Sequence, residues 1–228
     1  MLTWVRTAGL SLPRLTGALC GALAVALGFV VLAGWAFHFL FLVQIAPNLA
    51  PMQRTTAVSF AASGIALMAI VMHRPRVTLI FSGIAGTLGA ASLFEYLFRV
   101  NLGIDTLLGI PYVVTQTIEP GRMAHITAFC FVTLSTALVL AQTDLLKGRS
   151  PILGIAGLIV AAVGATCGIG MLSGTGDAHT WTDLNRVAFH TAGGFILLGA
   201  GATAVDHGHQ RRDRRALVKQ SCACVRLS

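Results

Sequence analysis

An all-α, integral membrane architecture of six transmembrane helices, arranged as three repeated out-and-in hairpins with both termini cytoplasmic, follows from three observations taken together. The first is apolarity: of 228 residues 55% are hydrophobic and only 11% charged, with a mean hydropathy of +0.79. That balance excludes a soluble globular domain. The second is the presence of six apolar runs long enough to cross a hydrocarbon core of about 30 Å. The third is an internal repeat centred on Gly121–Phe131. Moving back 71 positions sets Met52, Thr56, Ala57 and Phe60 against Met123, Thr127, Ala128 and Phe131. Moving forward 64 gives Val187, Thr191, Ala192 and Phe195. One turn deeper the small residues Gly64, Ser135 and Gly199 correspond, then Ala66, Ala137 and Gly201. A recurring string of this kind marks a repeated structural unit.

The first span, Leu15–Val43, follows Arg6 and Arg14 and is too long for the apolar core of a signal peptide, so it is expected to stay in the mature chain. Gln53–Met72 and Val77–Phe98 are separated by the short basic turn His73-Arg74-Pro75-Arg76. Met123–Ala141 comes after the longest connection, Val100 to Pro120, and Ile152–Leu172 and Leu184–Val205 complete the set. Residues 1–205 are thus one membrane domain and 206–228 a basic cytoplasmic tail, in which Gly208 is expected to weaken a continuous helix. Gly17/Gly21, Ser82/Gly86/Ala90 and Gly164/Gly168 bring small residues to four-residue spacing on spans one, three and five. Such spacing lets helix backbones approach closely.

Orientation follows from the basic residues. With both ends inside, twelve of the sixteen Lys and Arg face the cytoplasm and the inner side is net +9. Arg54, Arg99, Arg122 and Arg186 remain outside with five acids, net −1, as the positive-inside rule requires. The overall charge of +8 therefore belongs to membrane topology and not to nucleic-acid binding. Cys20, Cys130 and Cys167 lie in apolar segments where a thiol acts as a small hydrophobe, and Cys222 and Cys224 sit in the tail without a paired metal spacing.

Ionisable groups within spans are expensive and carry a functional hypothesis by default. His38, Glu95, Arg99, His125 and His190 gather toward the outer ends of their spans, and could converge on one outward-facing ligand pocket. Each has a plainer reading. Glu95 and Arg99, four apart, could simply pair; His125 and His190 could make interhelical hydrogen bonds. His38 with His190, or His125 with His190, could instead ligate haem. Arg54, Arg122 and Arg186 recur at the outer starts of the three inward helices, where they could bind headgroups or another anion. No nucleophile and base pair, phosphate-binding glycine loop or carboxylate dyad is visible, so no enzyme activity is expected. No metal site is expected either.

The run from Phe94-Glu95-Tyr96-Leu97-Phe98-Arg99 through Gly103-Ile104-Asp105, followed by Pro120-Gly121-Arg122-Met123 and Thr127-Ala128, resembles the polytopic N-terminal membrane region of bacterial PAS-containing sensor histidine kinases and diguanylate cyclases. Phe189-His190-Thr191-Ala192 is similar to the last copy of its Thr-Ala helix, and the likeness extends over about Ala46 to Val205. The resemblance implies a sensory input protein of the bacterial inner membrane, signalling through its last helix to a cytoplasmic module in cis or trans. Kinase, cyclase or PAS sequence is not among these residues. The chain is expected to be an input part lacking its output, a fragment, or a relative used as a stand-alone subunit. Two other classes stay open: an accessory subunit packed into a larger membrane complex or a homodimer, and a haem- or quinone-linked electron-transfer protein. A transporter is disfavoured, because the spans carry no mid-membrane carboxylate and no proline break.

Overall fold

The computed structural model describes residues 11–44, 50–104, 109, 121–143, 151–172 and 188–225, with side chains as far as Gly208 in the last helix. Among these residues there are seven helices and no strand: α1 (Leu12–Ala36), α2 (Leu40–Val43), α3 (Arg54–Val71), α4 (Pro75–Phe98), α5 (His125–Leu140), α6 (Ile152–Leu172) and α7 (Phe189–Val225). Four of them, α1, α3, α4 and α6, are long and apolar enough to cross a membrane. α5 is apolar but shorter. α7 is diluted by His190, its glycines and Asp206.

Two boundaries, the end of the first span and the run of the last helix, differ from expectation for a physical reason, while α3 stops where the sequence placed it. The first span breaks after Ala36, where His38 takes a left-handed φ of 59° and the Phe39 N–H returns to the Gly34 carbonyl. This is a Schellman stop, usually made by glycine. His73, at φ 55°, ends α3 in the same way, with the Arg74 N–H on the Ala69 carbonyl. At the other end of the chain α7 does not weaken at Gly208. Gly208 is buried, a Cβ there would lie 3.3 Å from Pro13, and the helix runs on to Val225.

The most extensive helix contacts join α1 to α3, α4 to α5 and α6 to α7. Each pair is antiparallel, and glycine brings the two backbones together. A Cβ at Gly28 would lie 2.5 Å from the Ala57 carbonyl oxygen, one at Gly89 2.8 Å from that of Ala128, and one at Gly164 2.7 Å from that of Ala192. α1 also packs on α7, and α3 on α4. α3 touches α5 and α7 as well, which makes it the most enclosed helix. At the centre the rings of Phe60, Phe131 and Phe195 form a closed triangle, with centroids 5.0, 5.0 and 5.2 Å apart. Large apolar side chains point outward along α1, α4 and α6, whereas Thr55, Ser59, Ser63, Ser82, Ser135 and Thr191 are buried. A surface this apolar around a partly polar interior suits a lipid surround.

Candidate functional site

The antiparallel pairing brings the starts of α3, α5 and α7 to one end of the bundle, here the upper end, with the finishes of α1, α4 and α6. Glu95 lies there in the last turn of α4 and is fully buried. Its Oε1 accepts a 2.8 Å hydrogen bond from the Leu102 N–H, and its Oε2 lies 3.4 Å from Nε of Arg122. Arg122 is itself buried and follows Gly121, whose φ of 92° turns the chain into α5. One carboxylate therefore holds both the segment that leaves α4 and the residue that leads into α5. The Arg122 guanidinium stands 5.4 Å from the centre of the Tyr96 ring, and Tyr96 meets His125 edge to face at 5.8 Å.

A second node forms at the start of α3. Arg54 lies over the Trp35 ring at 4.5 Å, and the Trp35 indole N–H donates 2.8 Å to the Met52 carbonyl. Gly109, at φ 106°, approaches Arg54 so closely that a Cβ would stand 2.7 Å from Nη1. Both nodes have the same chemistry: Arg54, which starts α3, lies on the Trp35 ring of α1, and Arg122, just before α5, lies on the Tyr96 ring of α4. Cation–π pairing of this kind is worth more where water is excluded.

Of the residues proposed from sequence, Glu95, Arg122 and His125 come together, and Arg54 forms the neighbouring node. The Glu95 to Arg99 pairing does not form. Arg99 adopts φ 53° just past the end of α4, which carries it off the helix face that holds Glu95 and leaves it exposed. His38 is exposed at the stop after α1. His190 is half-buried in the first turn of α7, and Arg186 lies outside the described residues. Trp35 and Gly109 were missed; nothing in their local sequence separates them from packing or turn residues. Tyr96 stood inside the quoted Phe94–Arg99 run, but only the fold shows it bridging Arg122 and His125.

The arrangement is a desolvated latch. The Glu95 carboxylate accepts one backbone N–H and faces one guanidinium, and removing either member of a buried ion pair is costly. No protein-family model, curated protein or solved structure matches the chain.

Proposed function

We propose that this chain is the sensory input region of a bacterial inner-membrane signalling protein, built as three hairpins from six spans, with both termini cytoplasmic and the upper end outside. The observation that carries the reading is α7. It begins at the same end of the bundle as the candidate site, where Ala192 packs with Ala124 and Ile126, carries His190 in its first turn, and continues unbroken for 37 residues to Val225. At 1.5 Å per residue that is about 55 Å, roughly 25 Å more than the hydrocarbon core. A rigid element that leaves the bundle can carry a shift of 1–2 Å from one face of the membrane to the other. Support for three equivalent hairpins comes from the Phe60, Phe131 and Phe195 triangle and from the matched Gly28, Gly89 and Gly164 contacts. Support for the orientation comes from Arg14, Arg74, Arg76 and the tail arginines, all at the end opposite Glu95.

The test uses the chain with its five cysteines replaced, in lipid nanodiscs, and spin labels at Arg76→Cys and Lys219→Cys. Opening the latch with Glu95→Gln is expected to move the distance between the labels by about 2 Å or more. An unchanged distance distribution in a folded variant counts against transmission through α7.

A further inference from the structure

We propose that the seam between α3, α4 and α5 is a binding site for internal water, shared among buried hydroxyls and running toward Glu95. Among the described residues, five buried side-chain oxygens have no hydrogen-bond partner: Thr55 Oγ1, Ser63 Oγ, Ser82 Oγ, Ser135 Oγ and Glu95 Oε2, the last of which faces Arg122 as an ion pair. All five lie on these three helices. Their placement follows from the packing of α3. Ala57, Ala61, Gly64 and Met68 meet α1 at Gly28 and Gly21, while Phe60 and Leu67 meet α7 at Gly194 and Gly201. Thr55, Ser59 and Ser63, at four-residue steps, occupy the remaining side, against α4 and α5. On α4 the buried face reads Thr78, Ser82, Ala85, Gly89, Ser92 and Glu95, so most of it is polar.

Register brings these faces into line. The hairpin turns at His73, with Ser63 ten residues before it and Ser82 nine after. Thr55 stands eighteen before and Ser92 nineteen after, so Ser63 and Thr55 each have a buried hydroxyl at about their own level on α4. From α5, Ser135 reaches the same level: a Cβ at Gly86, one turn from Ser82, would meet Ser135 Oγ at 3.4 Å.

Inside a bilayer an unpaired hydroxyl is costly, and an internal water with two to four polar partners removes that cost for several groups at once. Ser59 and Thr78 already donate to the Thr55 and Arg74 carbonyls in their own helices, and so need no such partner. Water suits the seam better than a cation, because Arg122 already balances Glu95. The α1–α3 contact at Gly21, Gly28 and Gly64 and the α6–α7 contact at Gly157, Gly164 and Gly199 are glycine on carbonyl; α4 meets α5 that way at Gly89, but at Gly86 it faces the Ser135 hydroxyl.

The test is water-edited solid-state NMR on the full chain in lipid, labelled at Gly, Ser and Thr. Magnetisation from water is expected to reach Ser63, Ser82 and Ser135 about threefold faster than Gly28 and Gly164. Ser82→Ala, which removes one buried hydroxyl and no carbon, is expected to slow the transfer at Ser63 and Ser135 by about half, since the water is shared. Transfer at the glycine rate would overturn the proposal, leaving the hydroxyls turned onto carbonyls of their own helices. Fast transfer that Ser82→Ala leaves unchanged would overturn it too, since the hydroxyls would then share no water.

Discussion

Glu95 shows how much depends on one side chain. Glu95→Gln keeps an oxygen for the Leu102 N–H but removes the charge that faces buried Arg122, and is expected to destabilise the protein by about 3 kcal/mol in thermal unfolding in detergent. Arg122→Gln strands the carboxylate instead, and should cost about as much. Because the two groups interact directly, the double variant is expected to recover at least about 1 kcal/mol relative to the summed single losses. Strict additivity would show that the 3.4 Å pair is not energetically coupled. Gly109→Ala belongs to the same scale. At φ 106° and 2.7 Å from Arg54 Nη1, the added methyl is expected to cost about 1–2 kcal/mol and to quench or shift Trp35 fluorescence as Arg54 moves off the ring.

Among the helices, glycines divide into two groups that sequence alone does not separate. At Gly28, Gly89 and Gly164 a Cβ would press on the carbonyl of the facing helix, and alanine there is expected to cost about 1–3 kcal/mol. At Gly83 and Gly170 nothing lies within 4 Å, so alanine is expected to be neutral or to stabilise by up to about 1 kcal/mol. Melting temperatures of the five variants, measured side by side, decide whether backbone contact or mere small size is what matters. Four-residue spacing picked out Gly21, Gly86 and Gly164, which do face a partner helix, but it passed over Gly28 and Gly89. Spacing shows which residues share a face and not which face is covered. Of the helix stops only that at His38 was hidden: the spans expected to end at Met72 and Phe98 do stop there, although His73 and Arg99, like His38, adopt the left-handed conformation that a reader expects of glycine.

For the molecule as a whole, the central triangle ties the three antiparallel helix pairs together. Phe60→Ala, Phe131→Ala and Phe195→Ala are each expected to cost about 3–5 kcal/mol, with strong non-additivity because each ring touches the other two. The proposed topology makes a separate prediction. Reporter fusions ending at Thr143 should be active only as a cytoplasmic reporter, and fusions ending at Ile104 only as an exported one. The reverse pattern would place Glu95 and Arg122 on the cytoplasmic side and remove the outer-face reading.

The helical, lipid-facing character of the chain was readable from its residues, because apolar runs and their lengths are local properties that the bilayer imposes on any sequence. The corresponding positions Phe60, Phe131 and Phe195 were readable too, although as a pattern and not as a contact. Which carboxylate meets which arginine was decided by tertiary structure. Arg99 is four residues from Glu95 on paper, yet a left-handed turn removes it, and Arg122 arrives from beyond the longest connection in the chain. The polar seam of α3, α4 and α5 was hidden for the same reason: a serine in an apolar run looks alike whether it bonds its own helix, as Ser59 does, or faces another, as Ser135 does. Only the packing of three helices distinguishes them.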